Sequence, residues 1–334
     1  MAGGARADSG EDRFIARFFR PVAGAPEALG LQDDAALLTP PDGTDLVLTT
    51  DALVAGVHFF PDDAPASVAR KALRVNLSDL AAKGAHPLGA LLTLAVPKDI
   101  PEAWMEAFAD ALGADATAYG CPLLGGDTVS TPGPVTLSIT AFGAVPKGAF
   151  VPRTGARPGQ AILVSGTIGD AALGLLLRQA PEREAFARLS DDKRAHLLDR
   201  YLHPQPRLAL ALALRAHAAA AMDVSDGLVG DLAKMLAASG CGGRIEAHRV
   251  PLSAAAATAV GHDAALRVTA LTGGDDYEIL ACVPHTAVHG FVLAAARAGV
   301  PVALIGETRT EAGLDVLDAS GRPLDLGVGS YSHF

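Results

Sequence analysis

The sequence predicts a mixed α/β (α+β) protein of two domains. Three observations lead there. Short apolar or β-branched runs alternate with amphipathic stretches in both halves of the chain. The 334 residues exceed the roughly 150 of a typical domain about twofold. Between the halves, residues 146–160 (PKGAFVPRTGARPGQ) concentrate Pro and Gly, as inter-domain connections do. The expected domains are therefore 1–148 and 149–334.

The elements follow in order. Phe14, Ile15, Phe18 and Phe19 fall at helical spacing. Residues 46–50 (LVLTT) read as a buried strand stopping at Asp51. Residues 67–82 read as a helix, with Val68, Ala72, Val75 and Asp79 near one face and Gly84 ending it. A strand is expected at 88–96. A helix then opens at Asp99-Ile100-Pro101, with Pro101 in its first turn and Gly120 beyond its end. Leu123 and Leu124 form a short apolar run leading straight into Gly125-Gly126-Asp127, and a strand follows at 135–145. The second half predicts a strand at 161–165, a helix at 169–179, two helices within 190–220 and a helix at 226–239 ended by Gly240. Strands are expected at 266–271, 278–283 and 302–305, with a helix near 286–298.

Half of the residues are hydrophobic and 19% are charged, which suits a packed core and excludes a disordered chain. The 37 acids outnumber the 27 bases, giving −10, so a nucleic-acid binder is not expected. The longest apolar stretch, 208–222, is broken by Arg215 and His217 and falls short of the roughly 20 residues a membrane span needs. No membrane association and no signal peptide are expected, and the protein reads as cytoplasmic. Cys121, Cys241 and Cys282 lie far apart and odd in number, which predicts neither a disulfide framework nor a zinc site.

The acids form the chemical signal. Asp33 and Asp34 precede AALL, Asp51 follows LVLTT, and Asp127 follows LLGG. Asp223 and Asp226 follow AAAAM, and Asp275 and Asp276 follow VTALTGG. A single Asp after a strand is ordinarily a helix cap or turn residue. Repetition of that placement points instead to acids converging on one site. Carboxylates gathered together repel unless cations neutralise them, and all-oxygen sites suit Mg²⁺ shared with substrate phosphates. Asn76 and Asp79 lie three apart on one helix face, so this polar stripe meets either solvent or ligand. His58, between apolar neighbours, reads as a hydrogen-bonded structural residue or a substrate contact. No phosphate-binding P-loop, dinucleotide fingerprint, protein-kinase signature or serine-hydrolase elbow is present.

The segments QDDAALL (32–38), TTDALVAGVHF (49–59), KALRVNLSDLAAKGA (71–85), GGDTV (125–129), MDVSDGLVGDL (222–232) and GGDDYEIL (273–280) together resemble the thiamine-monophosphate kinase family. The resemblance implies the two-domain aminoimidazole ribonucleotide synthetase-like fold. It implies a homodimer formed through the N-terminal domains, which would also bind nucleotide and metal. The implied activity is ATP-dependent phosphorylation of thiamine monophosphate to thiamine diphosphate, with several Mg²⁺ ions and K⁺ as a further candidate. Its magnesium ligands match Asp34, Thr49, Thr50, Asp51, Asp79, Asp127, Asp223 and Asp226. Its nucleotide contacts match Gly126, Asp127, Arg153 and Ser225. Its substrate contacts match His58, Asp275 and, near the C-terminus, Val328, with Tyr331 nearby. The pattern departs at Asp275, where Glu is usual, and at Gln32, where Gly is usual. No residue stands out as a general base, and the acceptor phosphate needs none.

Two alternatives stay open from sequence: another ATP-using enzyme of the same superfamily, and a non-catalytic homologue that holds nucleotide or thiamine phosphate. The family relatives that use a reactive N-terminal Cys or a C-terminal Cys find no counterpart here, since the first Cys is Cys121 and the chain ends Ser332-His333-Phe334.

Overall fold

The computed structural model of the chain describes residues 10–326. The fold divides into two units. The first takes residues up to 76 together with 87–144, and the second takes 77–86 with 145 onward. The segment 77–86, placed by sequence within the first domain, groups with the second.

The first half of the chain forms α1 (Gly10–Phe18), β1 (Thr44–Val54), α2 (Pro65–Ala82), β2 (His86–Val96), α3 (Glu102–Ala118), β3 (Leu123–Ser130) and β4 (Thr136–Pro146). The sheet order is β1-β4-β2-β3. Strands β2 and β3 run parallel, which requires the crossover that α3 supplies. Helix α3 buries Met105, Phe108, Ala109, Leu112 and Ala116, the i, i+3, i+4 stripe of an amphipathic helix. In the same unit Arg74 grips the buried Asp115 through Nε at 2.6 Å and Nη2 at 3.1 Å. Helix α2 is buried on nearly all sides, through apolar residues such as Ala69, Ala72, Leu73, Leu77 and Leu80 and through the polar Lys71, Asn76 and Ser78.

The second half forms β5 (Gln160–Ser165), α4 (Asp170–Gln179), α5 (Glu184–Ala187), α6 (Asp191–Leu202), α7 (Ala211–His217), β6 (Ala220–Asp223), α8 (Leu228–Ala238) and β7 (Gly242–Glu246). It continues with α9 (Ala254–His262), α10 (Leu266–Thr272), β8 (Ile279–Pro284), α11 (Val288–Arg297), β9 (Val302–Arg309) and β10 (Leu314–Leu317). The sheet order is β10-β7-β9-β5-β8-β6, antiparallel except for β10 with β7. Strand side chains alternate, so the two faces of the sheet carry different cores. Ile162, Val164, Leu280 and Cys282 pack with Leu232 and Leu236 of α8. Ala161, Leu163, Ala281 and Val283 pack with Leu214 of α7 and Phe291 of α11. A third cluster joins Leu173 and Leu177 of α4 to Phe186, Leu197, Ala259, Leu266 and Ala270.

Four expectations are corrected. Residues 266–271, expected as a strand, form helix α10. Leu266 and Ala270, one helical turn apart, pack with α4 and α9, while Leu271 joins the core around α8; this tertiary packing overrides the β-branched content. The strand expected to stop at Asp51 continues to Val54, and Gly125-Gly126-Asp127 lies inside β3 rather than in a turn. Asp51 and Asp127 are thus mid-strand acids. The helix expected from 226 starts at Leu228, leaving Asp226 in the preceding loop. Strands β6, β7 and β10 and helix α9 were not expected; all are short or alanine-rich. Gln32 meets no strain, since its φ is −115° and the positive φ values fall on Leu29, Gly30 and Leu31.

Candidate active site

In the first unit, Thr49, Thr50 and Asp51 sit consecutively on β1. Period-two alternation puts Thr49 and Asp51 on one face and Thr50 on the other. Thr50 Oγ1 donates to Ile139 O at 3.2 Å and accepts from Thr140 Oγ1 at 3.1 Å. Asp51 N donates to Asn76 Oδ1 at 3.0 Å, and Asp51 O accepts from Ser138 Oγ at 3.0 Å. Asn76 is fully buried and its Nδ2 donates to Ala72 O at 3.0 Å. The polar stripe of α2 therefore meets neither solvent nor ligand at Asn76; it holds the backbone at Asp51.

Gly126 is there for a steric reason. Its φ is +155°, and a Cβ would sit 1.8 Å from Leu92 O across the β2–β3 pair. Only glycine brings this strand so close, and the next residue, Asp127, is thereby presented exposed. A cavity of about 800 Å³ is lined by Asp33, Asp34, Leu37, Leu46, Gly126 and Asp127 among others. It unites the expected metal ligands Asp34 and Asp127 with the expected nucleotide contact Gly126. His58 is half-buried. Its Nδ1 accepts from Val54 N at 3.0 Å, which assigns the ring proton to Nε2 when neutral. Lys71 Nζ donates to His58 O at 3.1 Å, so the loop after β1 is fixed from both sides.

In the second unit, Asp223 ends β6 and is buried. Burial, and then the charge of Asp79, push its carboxyl up to about 8, while Ser78 and Lys83 pull the other way. The Ser78 hydroxyl is buried yet makes no geometrically sound hydrogen bond. Two close carboxylates beside such a hydroxyl are an oxygen-only donor set that a hard cation would relieve, so the residues fit Mg²⁺. Among the described residues no three His, Cys, Asp or Glu side chains come together closely enough to hold a metal ion. Asp79 and Asp223 are close enough to act on each other, and Asp34 and Asp127 line one cavity.

Two residues missed from sequence organise this edge. Lys83 Nζ donates to Ala221 O at 2.8 Å, two residues before Asp223. Desolvation lowers its pKa, opposed by Asp223 and assisted by the positive charge of Arg153. A lysine inside the otherwise apolar LAAKGA was the available signal. Asp231, 1% exposed, uses one oxygen to accept from both Ser225 N (3.0 Å) and Asp226 N (2.9 Å). Its other oxygen accepts from Lys234 at 3.1 Å, and Lys234 also pairs with Asp226. Burial raises the Asp231 pKa against these stabilising partners. Asp231 thus shapes the loop that carries Ser225 and Asp226. Arg153 is exposed and its carbonyl accepts from Ser239 Oγ at 3.2 Å. Asp275 N donates to Ser225 O at 2.9 Å, which places the expected substrate and nucleotide contacts on adjoining segments. Val328 and Tyr331 lie outside the described residues.

Residues 32–145 match the AIR synthase related protein N-terminal domain, and 157–318 match the corresponding C-terminal domain. The chain is 42% identical over 327 residues to the thiamine-monophosphate kinase of Escherichia coli K12, covering 97% of this chain and 98% of that one. The chain belongs to the thiamine-monophosphate kinase family. The Caulobacter vibrioides thiamine-monophosphate kinase is 46% identical over 297 residues, 88% of this chain and 82% of its relative. Among solved structures, the thiamine-monophosphate kinase of Stenotrophomonas maltophilia K279a superposes with a TM-score of 0.82 at 38% identity, covering 94% and 96% of the two chains. AaThiL complexed with AMPPCP and TMP gives 0.76 at 30% identity, covering 90% and 91%. The Escherichia coli hydrogenase maturation protein HypE, at 22% identity and a TM-score of 0.77, shares the fold. Both units of this kinase-family chain are therefore the two-domain AIR synthase-like architecture. No helix among the described residues is long and apolar enough to cross a membrane.

Proposed function

We propose that the protein transfers the γ-phosphoryl group of ATP to thiamine monophosphate, giving thiamine diphosphate, by direct in-line displacement. The observation that supports this reading most is the likeness to thiamine-monophosphate kinases over 97% of the chain, with both units included. The acceptor is a phosphate oxygen, already anionic at neutral pH because the second pKa of a phosphate monoester is about 6. No side chain has to remove a proton.

The remaining task is to hold two polyanions together. By likeness to the family, Gly126 and Asp127 of the first unit and Arg153 and Ser225 of the second are each assigned to the nucleotide. By likeness to the family, His58 of the first unit and Asp275 of the second are each assigned to the thiamine end. Asp34, Thr49, Thr50, Asp51, Asp79, Asp127, Asp223 and Asp226 would hold Mg²⁺. Bound Mg²⁺ would neutralise the phosphates and stabilise charge on the group in transfer.

The protein is further proposed to work as a homodimer. β1, at one edge of the first sheet, exposes Leu46 and Leu48, and β3, at the other, exposes Val129. Exposed apolar side chains on the edge strands of a sheet suit a subunit interface. The test of function is incubation with ATP, Mg²⁺ and thiamine monophosphate, following thiamine diphosphate by chromatography, with an EDTA control and thiamine itself in parallel. Metal-dependent product from the monophosphate alone is expected. Absence of product while ATP still binds would reject the reading.

A further inference from the structure

The second unit contains a charged assembly that the chemistry above does not use. Glu278 has no solvent exposure. Its Oε1 accepts from Arg200 Nη2 at 3.0 Å, and its Oε2 accepts from Arg207 Nε at 2.7 Å and Ser165 Oγ at 2.6 Å. Arg207 Nη2 also donates to Oε1, making a two-pronged grip. Ser165 Oγ in turn accepts from Ile279 N at 2.8 Å. Gly166 is required beside it, because a Cβ there would lie 2.1 Å from Glu278 Oε1.

Two residues earlier, Asp276 is also buried. Its carboxylate accepts from Gly169 N at 2.7 Å and Ala171 N at 3.4 Å at the start of α4. The backbone at Asp275 and Tyr277 has φ of +72° and +51°, a region that L side chains avoid. Surroundings must impose such a conformation. Here the buried side chains of Asp276 and Glu278 alternate with the two strained residues and anchor them. Backbone bonds Asp275 N to Ser225 O (2.9 Å), Tyr277 N to Val224 O (2.8 Å) and Val224 N to Glu278 O (2.8 Å) tie the strained turn to the segment carrying Asp223, Ser225 and Asp226.

We propose that Glu278, gripped by Arg200 and Arg207, is a positioning residue for phosphoryl transfer: it fixes the left-handed turn that presents Asp275 to the acceptor, in register with Ser225. The proposal rests on reading Asp275 as a substrate contact. An apolar side chain would fill a buried site equally well. A charge held by two forked guanidinium groups and a hydroxyl adds direction, and direction is what a strained turn needs.

The test compares Glu278→Gln, Arg207→Lys and Asp275→Asn with the unaltered protein, measuring thermal unfolding and the KM for each substrate. Arg207→Lys keeps the charge balance and removes the two-pronged hold. Both clamp variants are expected to raise KM for thiamine monophosphate about tenfold or more, as small misplacements of binding groups do, with KM for ATP nearly unchanged. Activity that falls only in step with the folded fraction, at unchanged KM, would overturn the proposal. So would failure of Arg207→Lys to fold, which would make the clamp structural. A raised KM in Asp275→Asn alone would overturn the clamp while the contact stands; an unchanged KM in Asp275→Asn would remove the contact itself and the clamp with it.

Discussion

Replacing Asp231 separates the contribution of its shape from that of its charge. Both loop amides, Ser225 N and Asp226 N, donate to the same carboxylate oxygen. Asp231→Ala removes that acceptor and leaves two half-buried donors. A hydrogen bond to a charged acceptor contributes about 1.5 kcal/mol, and partial hydration of the half-buried amides returns some of it, so the loss should be about 2–3 kcal/mol. Asp231→Asn keeps one oxygen in place for both amides and gives up only the Lys234 pair. Lys234 is 42% exposed on its side chain and retains Asp226, so that pair contributes less than about 1 kcal/mol. Asn also escapes the desolvation that raises the Asp231 pKa. In thermal denaturation the Ala variant should melt about 5–10 °C lower, at 2–4 °C per kcal/mol for a unit of this size, and the Asn variant within about 3 °C of the parent. ATP binding should weaken in the Ala variant and persist in the Asn variant. Equal losses in the two variants would refute the assignment of Asp231 as the acceptor that shapes this loop.

Asp127→Asn should cut turnover by orders of magnitude with an unchanged circular dichroism spectrum; normal turnover would remove Asp127 from the chemistry. Arg74→Met strands the buried Asp115 with Arg70 4.0 Å away, and should destabilise the first unit by about 3 kcal/mol in urea titration. Burial pushes the Cys121 and Cys282 thiols up to about 12. Thiolate is therefore suppressed in the folded state, and neither should be alkylated by iodoacetamide at pH 8 until denaturant is added. Because these folded-state pKa values are raised, the stability they contribute is intact below pH 9 and declines from about 9 towards 12. Rapid labelling of the native protein would contradict their placement.

The sequence was most legible where periodicity and composition agreed. Helices α2, α3 and α4 announced themselves by apolar spacing, and β5 by an unbroken apolar run whose burial on both faces explains it. Residues 266–271 (LRVTAL) were misread because six residues are too few to show a helical period, and their helical state is decided by packing against α4 and α9. The acids stood out in the sequence, but not their setting: Asp127 lies inside a strand although Gly125 and Gly126 precede it. The glycine at 126 instead serves a close strand approach, which depends on Leu92, distant in sequence. Asp231 was invisible for a different reason. It lies on α8, three residues inside the helix start, and sequence spacing does not show that it reaches back to the loop.

The grip on Glu278 has a thermodynamic corollary. Ser165, Arg200, Arg207 and Glu278 come from segments that are remote in sequence, and one unexposed carboxylate needs all of them. Withdrawal of any one leaves the buried carboxylate short of a donor inside the protein. Partial opening of this edge is therefore costly, and these segments should come apart together rather than fray one by one. Amide protons at Ser165, Val224 and Ile279 should then exchange with solvent at a common, slow rate, governed by cooperative opening of the whole edge.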